Sequence, residues 1–192
     1  MRAIFGVCVI IVVGMVLIGC GGGPKTMQET ATGQVPEWFT NPPQDPNYLY
    51  AANSATSQDV QVALDKALLG ARTEIGRQVE VRMNALQKQF TEETGTGQDA
   101  QLLQQFSSAT KSIVSTTLTG STMKNSSRVQ DGNMWRAYVL AAYPIGDANK
   151  AMLEAIKKNQ EMYTRFRASQ AFQELDTEVQ KYEEAKKQQS PK

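Results

Sequence analysis

The sequence predicts an α+β domain: a small three-stranded, mostly antiparallel sheet packed by helices, in the order β-α-α-β-β-α, with a long C-terminal helix. Three observations predict it. Val60, Leu64, Leu68, Ala71, Ile75, Val79, Met83, Leu86 and Phe90 recur in steps of three or four, which is one face of an α-helix. Gln130-Asp131-Gly132-Asn133 is a hairpin signal, because Asp-Gly accepts the positive φ of a tight turn. From Asp147 to about Ala185, apolar residues return with a period near 3.5 (Met152, Ala155, Ile156, Met162, Phe166, Leu175, Val179, Tyr182), interrupted at Asn159 and Ser169.

Taken from the N-terminus, Met1-Arg2 precedes an apolar run from Ala3 to Ile18. A short positive end before an apolar region is the layout of a secretory signal. The run is short for a spanning helix, which needs about 20 residues. It ends in Leu17-Ile18-Gly19-Cys20, followed by Gly21-Gly22-Gly23-Pro24. The glycine-rich residues suit a flexible leash, so residues 21–35 are expected to be a tether.

Pro36-Glu37-Trp38-Phe39-Thr40-Asn41-Pro42-Pro43-Gln44-Asp45-Pro46 follows. Four prolines in this segment argue against a helix and for extended or turn geometry. Trp38 and Phe39 are too apolar to be left free. They are expected to pack the arm onto the domain, and the alternative is a partner-binding aromatic patch.

Tyr48-Leu49-Tyr50-Ala51-Ala52 is the first strand. Ser57 precedes the long helical pattern, with Asp59 in its first turn. Gly70 and Gly76 weaken that helix and suggest a close approach to the sheet. Thr91 to Gly97 is expected to be a loop, and Asp99 to about Val114 a second helix with Leu102, Leu103, Phe106, Ala109 and Ile113 inward. Ser115 to Leu118 is β-prone, and the polar stretch Gly120 to Arg128 leads to the hairpin. The return strand is Met134 to Tyr143, with Trp135, Ala137, Val139 and Ala141 on one face and Met134, Arg136, Tyr138, Leu140 and Ala142 on the other; Pro144 stops it. Gln170 onward is rich in Gln, Glu and Lys and is expected either to project or to pair with another helix as an imperfect coiled coil. The expected organisation is a signal over 1–19, a tether over 20–35, the domain with its arm over 36–146, the long helix over 147–187 and a disordered tail over 188–192.

The end of the apolar run resembles the bacterial lipobox. That resemblance implies cleavage between Gly19 and Cys20 and a diacylglycerol on the Cys20 sulfur. Removing residues 1–19 leaves 173 of the 192 residues, with 19 basic and 19 acidic side chains once Arg2 is gone. That balance argues against a nucleic-acid binder, which shows a basic excess. Cys20 is then the sole cysteine, so no disulfide framework exists. Histidine is absent, which removes the commonest general base and metal ligand.

Four features stand in order: the lipobox; Pro36-Glu37-Trp38 with trailing prolines; Tyr48-Leu49-Tyr50-Ala51 leading into an alanine-spaced helix (Ala63, Ala67, Ala71); and the Asp131-Gly132 hairpin ending in Tyr138-Val139-Leu140-Ala141. Together, over roughly residues 17–145, they resemble the small outer-membrane lipoproteins of the Helicobacter "LPP-twenty" family, to which flagellar-disc lipoproteins are similar. Ala52-Asn53-Ser54 departs from that family, whose members often carry glycines after the first strand. The resemblance implies a compact α+β domain at the outer membrane, sometimes within multimeric assemblies, and carries no catalytic residue.

No catalytic set emerges. Gly95-Thr96-Gly97 lacks the rest of a dinucleotide fingerprint. Glu92-Glu93 and Glu183-Glu184 are neighbours in sequence only. Ser54, Ser57 and Ser112 have no histidine to activate them, and Asn125-Ser126-Ser127 is a chance glycosylation match. The expectation is therefore a non-enzymatic lipoprotein of the outer membrane facing the periplasm. It would have no cofactor beyond the lipid on Cys20, and would act through envelope proteins or through self-association by its C-terminal helix. The alternative is a module that binds peptidoglycan or a cell-wall synthase. Candidate partner contacts are Trp38 and Phe39.

Overall fold

The computed structural model describes residues 35–189. The signal, Gly19, Cys20, nearly all of the tether and residues 190–192 lie outside the described residues. The elements are a helical turn α1 (Glu37–Thr40), strand β1 (Tyr48–Ser57), helices α2 (Val60–Thr94) and α3 (Ala100–Gly120), strands β2 (Thr122–Asp131) and β3 (Met134–Pro144), and helices α4 (Ile145–Lys158), α5 (Gln160–Phe166) and α6 (Gln170–Gln189). Apart from the turn α1 and the subdivision of the C-terminal segment, this is the expected β-α-α-β-β-α order.

The sheet order is β1-β3-β2, antiparallel throughout, so the last strand in sequence is central. Gly132 takes the positive φ of the hairpin, +61°. One face of β3 (Ala137, Val139, Ala141, Tyr143) joins the main core beneath α2. The opposite face (Tyr138, Leu140, Ala142) is buried as well. β1 runs to Ser57, beyond the expected end at Ala52, because Asn53 to Ser57 continue the register against Val139 to Trp135. Pairing with a central strand overrides the weak strand preference of Asn and Ser.

Asp59 is the N-cap of α2, its carboxylate accepting the Val62 N–H at 2.9 Å. The helix runs on through Thr94 and ends at Gly95 with φ +67°, so half of the expected Thr91–Gly97 loop is helical. At 1.5 Å per residue α2 spans about 50 Å. It is held by a buried stripe of Ala63, Ala67, Ala71, Ile75, Val79, Met83 and Phe90. Of the other residues read from the sequence, Val60, Leu64, Leu68 and Leu86 are only half-buried, because the small alanines take the innermost line. Gly70 does meet the sheet: a Cβ there would lie 2.6 Å from the Asn53 amide. Gly76 instead faces α3, against Leu118.

Asp99 caps α3 through the Leu102 N–H at 3.1 Å. The helix continues through Ser115 to Leu118, the segment expected to be β. Thr116 and Thr117 donate their hydroxyls back to the Ser112 and Ile113 carbonyls at 3.1 and 2.8 Å. Thr117 is fully buried, so the Thr-rich turn satisfies its polar groups within a helix whose packing face is core.

The C-terminal segment is three helices rather than one rod. It starts at Ile145, directly after Pro144. Asn159 both ends α4 and caps α5, accepting the Met162 N–H at 3.0 Å. Ser169 accepts the Phe172 N–H at 3.2 Å, and Glu93 from the end of α2 accepts the Ala171 N–H, also at 3.2 Å, at the start of α6. The chain therefore turns back, and α6 packs on α4 and α2, burying Ala171, Phe172, Leu175 and Val179. The apolar face expected to project or to pair with a second helix is covered within the chain. Phe90, Phe106 and Phe166 join α2, α3 and α5. Phe90 and Phe166 stack at 4.5 Å, and Phe106 stands edge-on to both. Each such ring stabilises by about 1.5–3 kcal/mol on burial.

Candidate functional site

The arm from Pro36 to Pro46 is the strongest candidate surface. Pro36 fixes an extended entry at φ −61° and ψ 139°, and a single turn of helix follows. This corrects the expectation that the proline-rich segment excludes helix. Pro36 sits just before the turn, where its missing N–H costs nothing, and the next proline, Pro42, lies beyond it. Thr40 Oγ1 donates to the Glu37 carbonyl at 3.1 Å and closes the turn.

The turn sets Phe39 against the outer face of the sheet. Its ring meets Tyr138 edge-on at 4.9 Å, and Trp38 meets Phe39 at 6.4 Å. Both aromatic residues are half-buried. Phe39 thus packs the arm onto the domain, the first of the two alternatives for these residues, while Trp38 meets Phe39 within the arm, and each keeps an exposed part.

Residues 41–46 then border a cleft of about 540 Å³, closed on its other sides by Tyr48, Leu49, Tyr50 and Gln78. The chain enters β1 through an Asx turn: Asp45 Oδ1 accepts the Asn47 N–H at 2.8 Å, and the Asp45 carbonyl accepts the Tyr48 N–H at 3.2 Å. Tyr48 and Tyr50 lie two positions apart on one face of the strand, with ring centroids 6.1 Å apart. The Lys124 ammonium sits over the Tyr48 ring at 5.7 Å. Gln78 crosses from α2 and donates to the Tyr50 carbonyl at 3.1 Å. Burial, then the Asp45 carboxylate, then Tyr48 hold the Tyr50 phenol above its ordinary pKa, so it is a neutral donor at physiological pH. The cleft offers aromatic faces, proline rings, amides and one carboxylate.

Strict alternation along β1 would have brought Tyr48 and Tyr50 together from sequence. Nothing in the sequence marks Gln78. The acidic pairs are structural: Glu93 caps α6, and Glu183 pairs with Lys150 at 2.9 Å. Gly95 ends α2, and Ser57 Oγ accepts the Asp59 N–H at 3.4 Å. Asn125-Ser126-Ser127 lies within β2. A second, smaller cleft between α2, α4 and α6 is closed by Arg82, Asn149 and Glu178, which hydrogen-bond one another.

Among the described residues, no helix is long and apolar enough to cross a membrane, and no group of His, Cys, Asp and Glu is arranged to hold a metal ion. No family model, curated protein or solved structure matches the chain.

Proposed function

We propose that this protein is a non-catalytic lipoprotein of the outer membrane, facing the periplasm, anchored through acyl chains on Cys20 and acting through protein contacts as a structural or assembly factor, with a flagellum-associated role as a special case. The observation that carries this reading is Leu17-Ile18-Gly19-Cys20 at the boundary between the apolar run and a glycine-rich leash. The leash joins the arm at Pro36. Fifteen residues reach at most about 50 Å when fully extended. Several acyl chains anchor stably where one is marginal.

Mass spectrometry of the mature protein should find Cys20 as the N-terminal residue with its acyl mass. Cys20→Ser should move the protein from the membrane to the soluble fraction. An unmodified Cys20, or undiminished membrane association of the variant, rejects the reading. Cross-linking in intact cells should trap a fixed partner, and loss of motility on deletion would single out the flagellar case.

A second reading is supported by the arm cleft, where two tyrosine faces stand beside the amides of Asn41, Gln44 and Gln78. That set suits a neutral glycan, and so a periplasm-facing module that binds peptidoglycan or a cell-wall synthase. Retention on purified sacculi that is lost in Tyr48→Ala would favour it.

A further inference from the structure

The two edges of the sheet are built differently. The Ile145 N–H donates to the Asn47 carbonyl at 3.0 Å. Hydrogen-bonded pairs alternate along an antiparallel ladder. In the observed register, Leu49, Ala51, Asn53 and Ala55 therefore bond to β3, while Tyr48, Tyr50, Ala52, Ser54 and Thr56 turn their backbone groups outward. The first outward groups are occupied: Asp45 accepts the Tyr48 N–H, and Gln78 donates to the Tyr50 carbonyl. From Ala52 to Thr56, no described residue pairs with the outward groups.

This open stretch carries no charge, proline or bulge. The other edge is interrupted: β2 has a register break at Lys124 and carries the charged Arg128. Natural sheets blunt edges that must stay single with charges and bulges of this kind. β1 lacks these devices over half its length.

We propose that the Ala52–Thr56 edge of β1 pairs with the same edge of a second copy of this chain, antiparallel about a two-fold axis at Ser54. The proposal rests on the reading of this protein as one that acts through protein contacts, and it names the partner. Ser54 then faces Ser54, and Ala52 faces Thr56, small uncharged residues throughout. Three outward residues in each copy form an isologous ladder, as a two-fold interface requires.

The helices above the sheet are complementary under the same operation. α2 lies across both β1 and β3. With strands about 4.8 Å apart, the two α2 axes come to roughly 10 Å, a normal helix-packing distance. Asn53 lies against Gly70, so the helices meet near their Gly70 residues. Lys66 of one copy then comes opposite Glu74 of the other, whose carboxylate also pairs with Arg77 of its own helix at 2.6 Å, so the axis brings together a charge network of both signs.

The test uses the lipidated mature chain in detergent and in vesicles. Sedimentation should show a dimer. With Cys20 acylated, Ser54→Cys should cross-link to itself under mild oxidation, because hydrogen-bonded pairs place Cα atoms about 5.5 Å apart, within disulfide range. Asn125→Cys on β2 should not cross-link. Ser54→Pro removes an outward N–H and leaves the β1–β3 ladder intact. Two lost hydrogen bonds per dimer should weaken association about ten- to a hundred-fold. Thr56→Lys should act likewise should the proline perturb folding.

A monomer under all these conditions overturns the proposal. So does a dimer that neither cross-links at Ser54→Cys nor weakens in Thr56→Lys. Intrachain cross-linking of Ser54→Cys to Thr30→Cys would show the leash on this edge and also overturn it. A monomer that still cross-links to another envelope protein in cells would leave the broader reading standing. Membrane association that survives Cys20→Ser would reject that reading and not the dimer.

Discussion

Tyr182 of α6 occupies the space that a Cβ on Gly146 of α4 would need. The same tyrosine donates its hydroxyl to Asp147 Oδ1 at 2.9 Å. Ring and hydroxyl together fasten the last helix to the second and third residues of α4. In an ordinary helix Gly→Ala is favourable by about 1 kcal/mol. Here Gly146→Ala should instead cost about 1–3 kcal/mol, because the ring must move and the helices separate. Chemical denaturation would measure the loss. In a Tyr182→Ala background the same Gly146→Ala change should cost little, since the clash is then gone.

The clasp of Arg82, Asn149 and Glu178 makes a different prediction. Arg82 and Glu178 meet at 2.9 Å, but their side chains are 45% and 54% exposed. Exposed pairs contribute about 0–1 kcal/mol, so Arg82→Ala should lower stability only slightly. Asn149 is 4% exposed and bonds both partners. Asn149→Ala should therefore cost more, about 1–3 kcal/mol. The ranking of the two variants in urea midpoints checks the assignment.

Legibility from sequence followed the range of the forces involved. The stripe of α2, the Asp131-Gly132 turn and the alternation along β3 are local patterns, and they predicted their elements. Asn159 and Ser169 were visible as breaks in an apolar stripe. Their role as helix caps depends on the chain reversing so that Leu175 and Val179 reach the core, which no local period encodes. Ser115 to Leu118 is β-prone by composition, but Leu118 fits against Gly76 and Thr117 is buried, so tertiary packing prevails. For the candidate site, the arm and its aromatic residues were legible. Gln78 was not, because it meets Tyr50 across a sequence separation of 28.

Thr110 sits on the core face of α3 with 4% exposure, and its hydroxyl has no hydrogen-bond partner among the described residues. A buried polar atom left unpaired costs about 1–3 kcal/mol. Valine keeps the shape and removes the hydroxyl. Thr110→Val should raise the thermal midpoint, with a gain of about 1 kcal/mol, since both residues are β-branched and their helix preferences are nearly equal. A lowered midpoint would mean that the hydroxyl is satisfied in solution.

Two tyrosines predict weakness at high pH. Burial raises the pKa of Tyr143 above its ordinary 10.0, opposed by its hydrogen bond with Thr117. Burial and then the hydrogen bond to Asp147 raise that of Tyr182. The folded chain holds both phenolic protons more tightly than the unfolded chain. Their stabilisation is therefore complete below the ordinary value and is lost as the pH rises through the raised folded values. Urea midpoints should fall as the pH rises above about 10. Lys150 and Lys186, also raised through Glu183 and Asp147 respectively, act in the same direction. Tyr143→Phe and Tyr182→Phe should flatten the decline if the phenols cause it, and leave it unchanged if the lysines do.

The aromatic arm can be divided into packing and contact by its two rings. Phe39 stands edge-on to Tyr138 at 4.9 Å, and Tyr138 is 5% exposed on the sheet. Such a pair adds about 0.5–1.5 kcal/mol beyond the area it buries. Phe39→Ala should thus destabilise by about 1–2 kcal/mol and speed proteolysis within residues 35–46. Trp38 meets Phe39 at a longer 6.4 Å, so Trp38→Ala should have a smaller effect on both measures. If the arm also binds a partner, Trp38→Ala should weaken in-cell cross-linking while the melting curve stays close to that of the parent chain. Equal losses of stability in the two variants would mean that both rings serve packing and that the partner lies elsewhere.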